Sequence, residues 1–274
     1  MDPDDSQPIL PLEGLHVLHL FCEVDHASWA ILDARQKVEA KTTLSALVAE
    51  IRSTPRTQLL CFSMVSPKAD IGFMLVTPDL QQLDHFSKRL TLALGPDILS
   101  PVFSWLSMTE RSEYTTTEEE YAVSLMAEES LTSGTPEFEE KLAAFRTRMS
   151  KYLQDRLEPN LPDWPVFCFY PMSKRRIAGQ NWYGLTFEAR KELMAGHAKV
   201  GRTFAGRIRQ LITGSTGLDQ GEWGVTLFAR STSEIKQIVY EMRFDAVSVH
   251  YAEFGDFYIG IQLPLDVLFA RLEL

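Results

Sequence analysis

The chain has 274 residues, 45% hydrophobic and 23% charged, enough for one large domain or two small ones around a sizeable core. A formal net charge of −10 argues against general nucleic-acid binding, and any anionic ligand must be met by a local basic cluster. No apolar run is long enough to cross a membrane, and the acidic stretch Met1 to Pro8 is not a secretory signal, so a cytoplasmic protein is expected. Cys22, Cys61 and Cys168 stand far apart in apolar runs, which predicts buried free thiols rather than a zinc site or a disulfide framework.

Residues 1–11 read as a loose tail. Leu15 to Phe21 reads as a strand and Ala40 to Ile51 as an amphipathic helix. Gln58 to Val65 and Ile71 to Val76 form a hairpin around Ser66-Pro67-Lys68-Ala69-Asp70. A helix from Asp79 to Leu94 and a strand from Pro101 to Ser107 follow. Residues 111–160 form an acidic connector. It holds the hydroxyl-and-carboxylate run Thr115 to Glu120, a turn at Ser133-Gly134-Thr135-Pro136, and a helix from Pro136 to about Leu157 with the alternating charges of a solvated face.

The order then repeats. Trp164 to Tyr170 is a strand, and Thr186 caps a helix running to Val200. Phe204 to Thr213 and Glu222 to Ala229 flank a turn, Ser231 to Met242 is helical, and Ser248 to Ile261 is extended. Strand–helix–strand–strand–helix–strand is the ferredoxin-like order. The expected fold class is therefore α+β, with ferredoxin-like units at residues 12–110 and 161–274 packed within one chain into a dimeric α+β barrel.

Few residues stand out chemically by type and spacing alone. His16 and His19 lie three apart in a strand and face opposite sides, so they cannot chelate together. His26, His85 and His250 have no partner at ligand spacing. His197 lies near the end of the Thr186 helix, whose apolar face would carry Phe187, Leu193, Met194 and Val200, with Gly196 and Gly201 close by. Its ring can reach toward a metal or simply suit a helix C-terminus electrostatically, and on spacing alone the second is the plainer reading. Tyr170 reads as a core strand tyrosine and Lys174-Arg175-Arg176 as a solvated basic turn, although Lys174 shares a strand face with Tyr170. Gly214-Ser215-Thr216-Gly217 lacks the lysine and the context of a phosphate loop and is a hairpin turn.

From about Arg156 to Gly260 the chain resembles the coproheme decarboxylases of the chlorite dismutase superfamily. Tyr170-Pro171-Met172-Ser173-Lys174-Arg175-Arg176, Asn181-Trp182-Tyr183, His197, Gly201-Arg202 and Gln210 carry the likeness. So do Glu222-Trp223-Gly224-Val225-Thr226-Leu227-Phe228, Tyr240-Glu241-Met242-Arg243-Phe244-Asp245 and Tyr251-Ala252-Glu253-Phe254-Gly255. The first half is similar only in element order.

The resemblance implies that His197 is the proximal ligand of the iron of coproporphyrin III, which is both substrate and redox cofactor and ends as haem b. It implies that Tyr170 becomes a radical that takes hydrogen from a propionate, with Lys174 beside the reacting group. Gln210 would stand on the distal side of the iron. Arg156, Ser248 and the segment Tyr170, Pro171, Met172, Ser173 and Lys174 would hold propionates. Hydrogen peroxide would be the oxidant, and the assembly a homopentamer. Glu241, Asp245 and Glu253 are candidates to orient His197, and Trp182, Tyr183 and Trp223 are expected to pack against the macrocycle. Chlorite dismutases carry arginine where Gln210 stands, and the family pattern has glycine where this chain has Ala198. A chlorite dismutase or haem peroxidase, and a non-catalytic haem-binding protein, are the rival expectations.

Overall fold

The computed structural model describes residues 7–274, so residues 1–6 of the expected tail lie outside the described residues. The first half runs β1 (His16–Val24), α1 (His26–Ile31), α2 (Ala34–Ser53), β2 (Gln58–Met64), β3 (Ile71–Thr77), α3 (Leu80–Leu92) and β4 (Leu99–Thr109). Helices α4 (Glu118–Glu128) and α5 (Pro136–Leu157) form the connection. The second half begins with β5 (Val166–Lys174), the short hairpin β6 (Arg176–Ile177) and β7 (Gln180–Asn181), and a 3₁₀ turn at Trp182–Gly184. It continues with α6 (Phe187–Arg202), β8 (Ile208–Gly214), β9 (Trp223–Ala229), α7 (Thr232–Met242) and α8 (Ala246–Tyr251), then β10 (Ala252–Phe254), β11 (Tyr258–Gln262) and α9 (Leu265–Arg271).

The strands form one antiparallel sheet in the order β10-β5-β11-β2-β3-β1-β4-β8-β9, and a further β5–β9 pairing closes it into a barrel. Each half keeps the ferredoxin-like neighbour order, β2-β3-β1-β4 and β8-β9-β5-β11. The halves meet where β11 pairs β2 and β4 pairs β8, so each covers the edge the other would expose. The fold is the expected α+β barrel. We propose residues 12–110, 111–160 and 161–274 as its domain division.

Both faces of the barrel wall are buried. Val17, Phe21, Phe62, Phe167, Phe169 and Phe228 fill the interior. Leu18, Leu20 and Cys22 of β1 point outward beneath α2 and α3, whose Leu44, Ile51 and Leu90 are almost fully buried. Each such side chain contributes about 1.5–3 kcal/mol by leaving water. Outside the second half, Cys168, Tyr170, Val225 and Leu227 meet Ile235, Ile238 and Met242 of α7. The three cysteines are free and buried, and burial pushes each thiol up to about 12.

Four expectations are corrected. Ser248 to Ile261 is not one extended strand, because Asp245 caps a helix through Ser248 N–H and the chain then makes two short strands. Strand β8 starts at Ile208 rather than at Phe204, since Gly206 adopts a left-handed turn at φ 81°. The run Thr115 to Glu120 contains a helix start, because Thr117 and Glu120 form a reciprocal capping box. The described part of the tail is tied down: Ile9 N–H donates to Asp79 Oδ1 at 2.9 Å, and its carbonyl accepts from Leu80 N–H at 3.1 Å.

His19 lies inside the barrel with no exposed surface, stacked 4.0 Å from the Phe169 ring, its Nε2 2.9 Å from Thr226 Oγ1. Burial lowers its pKa to about 3. The native state therefore refuses a proton that the unfolded chain accepts below its ordinary value of 6.5. Stability from this group is complete above that pH and is lost as pH falls toward about 3. In denaturant titrations at pH 6.5 and 4.5, His19→Gln is expected to lose about 2 kcal/mol less on acidification than the parent chain. An equal loss in both would show that His19 does not carry the acid sensitivity.

Candidate functional site

The outer surface of β8, β9 and β5 forms a ruled face. Pairing sets Gln210 beside Leu227 and Leu227 beside Cys168; one step along, Ile212 lies beside Val225 and Val225 beside Tyr170. Alternation then puts Met172 and Lys174 on the Tyr170 side of β5. The side chains of Pro171 and Ser173 take the opposite side: Pro171 lies against Gly255, and Ser173 lies toward Gly221 and the barrel-interior Trp105. Those two residues can serve the outer face only through their backbone.

Helix α6 lies over this face without packing down on it. Leu193, Met194, His197, Val200 and Gly201 form its inner stripe at helical spacing, yet none of its 16 residues is buried. By contrast α2 buries five side chains. The helix is held at its ends. Phe187 stacks on Tyr114 at 5.9 Å, Arg190 Nε donates to the Tyr114 hydroxyl, and Lys191 pairs with Glu120. At the other end, a methyl group on Gly201 would lie 3.2 Å from Met242 Cε and 3.6 Å from Gln210 Nε2.

His197 Nδ1 lies 3.0 Å from Asp245 Oδ2, which singles out Asp245 among the three acidic candidates. The same carboxylate accepts from Ser248 N–H at 3.0 Å and from Ser248 Oγ at 2.9 Å. The His197 bond and the Ser248 bonds keep the Asp245 carboxyl below the usual range, against the opposing effect of burial, which is the largest single influence. An imidazole bonded through Nδ1 to a carboxylate presents Nε2 as a lone-pair donor. Ser248 is accordingly placed as a support of the His197–Asp245 pair, on a helix rather than a strand.

Lys174 is 5% exposed, and its Nζ sits 4.6 Å from the centre of the Trp182 ring. Burial lowers its pKa to about 8, with the charges of Asp245 and Glu222 acting in the other direction. Its ammonium donates to no described residue, nor does the Tyr170 hydroxyl. Tyr170 is 8% exposed and stacks on Phe257 at 4.4 Å, and burial pushes its phenol well above the usual range, so it stays protonated. Trp182 is buried against Lys174 and Tyr251, whereas Tyr183 is half exposed.

Arg156 and Gln210 line a shared cavity of about 310 Å³ with Tyr152, Leu161 and Ile212. Arg156 Nε donates to the Glu110 carbonyl at 3.1 Å, and its terminal nitrogens bond no described residue. Sequence reasoning missed Glu110, whose Oε1 accepts from Trp223 Nε1 at 3.2 Å. Gly214 makes room for that carboxylate, since a methyl group there would stand 2.1 Å from Glu110 Oε2. It also missed Glu222, because a single acid before a strand carries no pattern. Among the described residues no group of three or more acidic, histidine or cysteine side chains could chelate a metal.

The chlorite dismutase family profile matches residues 37–263. This chain belongs to that family. A protein of Natronomonas pharaonis named as heme-binding is 37% identical over 271 residues, which cover 96% of this chain and 42% of that longer relative. The chain thus spans less than half of that protein's length. The solved structure of a heme-binding protein from Thermus thermophilus superposes with a TM-score of 0.79 at 33% identity, covering 98% of this chain and all of that one. A chlorite dismutase variant from Candidatus Nitrospira defluvii shares the fold, with a TM-score of 0.71 at 18% identity over 96% of this chain and 97% of its own.

The pairing of His197 with Asp245 is open to direct test by absorbance titration with haem, the ligand for which two of its relatives are named. His197→Ala is expected to change the Soret band, and Asp245→Asn to weaken affinity roughly 10-fold to 100-fold. Parental spectra and affinities in both variants would remove the pair from the binding site.

Proposed function

We propose that this protein binds haem-type iron porphyrins and decarboxylates two propionates of iron coproporphyrin III to vinyl groups at the expense of hydrogen peroxide, leaving haem b. One observation carries the reading. No residue on the inner stripe of α6 is buried, and the outer side of β5 and β8 carries three polar groups that bond no described residue: Lys174 Nζ, Tyr170 Oη and the Gln210 amide. A flat apolar macrocycle with anionic arms fits such surroundings. The half-buried Ile212 of β8 and Leu193, Met194 and Val200 of α6 would offer it apolar contact, His197 Nε2 a ligand for its iron, and Lys174 and Arg156 charges for its carboxylates.

Bound iron supplies the oxidising chemistry that peroxide drives. The balance per arm is one propionate, one peroxide and one proton going to one vinyl group, one carbon dioxide and two waters. The chain's part is to hold and move hydrogen. Tyr170 stays a neutral phenol because it is buried, so it can give up a proton and an electron together. It can then take a hydrogen atom from the propionate carbon next to the ring. Lys174 pairs with the carboxylate, and because its pKa lies at about 8 it can hold or release a proton near neutrality. Gln210 offers a hydrogen bond but no charge on the distal side, which favours a peroxide over an oxyanion such as chlorite. The same reading includes a homopentameric assembly and a cytoplasmic site of action. No helix of the described residues is long and apolar enough to cross a membrane.

The test is to mix the protein with iron coproporphyrin and hydrogen peroxide and weigh the porphyrin by mass spectrometry. Loss of two carboxyl groups is expected. Tyr170→Phe should bind the porphyrin yet lose none of its mass, with at least a 100-fold slower first step. Oxygen evolution from chlorite with intact propionates would favour a dismutase, and an unchanged porphyrin throughout a haem-binding protein alone.

A further inference from the structure

Among the carboxylates that the proposed reaction does not use, Glu222 is the most enclosed: it is 4% exposed, just ahead of β9 at the open end of β5. Its backbone is fixed on both sides, with N–H donating to the Met172 carbonyl at 3.1 Å and its carbonyl accepting from Ser215 N–H at 2.8 Å. Its side chain gathers three neighbours. Oε2 accepts from the Lys174 backbone N–H at 2.6 Å, Oε1 stands 3.6 Å from Arg176 Nη2, and the carboxylate adds to burial in pushing the nearby Tyr183 phenol above its usual range.

This arrangement answers a question posed by the sequence. Lys174, Arg175 and Arg176 are consecutive cations, which repel one another and would each be better solvated in water. Yet Lys174 is buried over Trp182 while the Arg176 side chain is 64% exposed. A buried anion bonded to the Lys174 amide and facing Arg176 offsets that repulsion and fixes which cation turns inward. Arg175 is held separately, by Gln180 Oε1 at 2.9 Å and by the Tyr251 carbonyl, which accepts from its backbone N–H at 2.8 Å.

We propose that Glu222 is a positioning residue for Lys174: its carboxylate bonds the Lys174 amide at the end of β5, faces Arg176, and so delivers the Lys174 ammonium to a substrate carboxylate. The proposal rests on the reading that Lys174 meets such a carboxylate, but its geometry is tested without substrate. The charged groups around Lys174 are Glu222 from the start of β9, Asp245 from the cap of α8, and Arg175 and Arg176 from its own strand end.

The experiment uses the full chain carrying ¹³C-dimethylated lysines, with the Lys174 signal assigned by Lys174→Arg and followed by NMR against pH. In Glu222→Gln, which keeps an acceptor but loses the charge, the Lys174 midpoint is expected to fall by about one pH unit. Glu222→Asp is expected to restore most of it, which a loss of folding alone would not do. An unmoved midpoint in Glu222→Gln overturns the proposal. Should Glu222→Gln fail to fold, Arg176→Gln, at an exposed position facing the Glu222 carboxylate, stands in for it. Amide exchange at Lys174 is then expected to speed up several-fold, and an unchanged rate overturns the proposal. Neither readout involves peroxide or porphyrin, so failure of the decarboxylation reading leaves the result intact, and the reverse also holds.

Discussion

Strand β5 is paired along both edges and packed on both faces, and that double confinement holds the candidate site in one register. On one edge it pairs β9 from Val166 to Met172, and on the other it pairs β11 and then β10. Phe167 and Phe169 enter the barrel interior, so Cys168, Tyr170, Met172 and Lys174 must face outward. A slip of one residue would drive Tyr170 into the barrel and Phe169 beneath α6, burying a phenol among phenylalanines. The barrel is thus a device for aiming alternate residues of one strand.

Over that face lies a helix that its own sequence does not press down. With no buried residue, α6 contributes little apolar burial to the fold and depends on clasps: Tyr114, Glu120 and Leu185 near its start, Asp245 and Met242 near its end. Burial elsewhere stabilises the fold, which leaves this helix available to meet a ligand. The exposed ion pairs in these clasps are worth little individually. The His197–Asp245 bond is better protected, because the Asp245 side chain is only 6% exposed.

The electrostatics follow the same division of labour. A chain of net charge −10 repels anions at long range, so an anionic substrate must be met by a few cations at short range. Lys174 at the end of β5 and Arg156 on α5, in a cavity that does not include Lys174, have no protein acceptors for their charged tips, while Glu222 and Asp245 spend their own charge on backbone and on neighbouring side chains. Buried acids beside Lys174 look paradoxical until their partners are counted. Asp245 meets His197 and the backbone and hydroxyl of Ser248, while Glu222 accepts from the Lys174 amide and faces Arg176.

Local physics made much of this legible from sequence. Short, nearly continuous apolar runs marked β1, β2, β3 and β5, and Thr186 and Pro136 marked the starts of α6 and α5, since such runs and caps depend on neighbours a few residues apart. The same local rules, applied to Thr117-x-x-Glu120 and to Asp245 with Ser248, would have revealed α4 and α8, which composition and an expected strand concealed. Family likeness brought His197, Tyr170, Lys174 and Gln210 forward, which residue type alone did not. What only the tertiary structure decided are the partnerships between distant residues: Asp245 with His197, 48 positions apart, Glu222 with the Lys174 amide, also 48 apart, and Glu110 with Trp223, 113 apart. No local pattern encodes such pairs, because they exist only once barrel closure has brought separate strands and helix ends together.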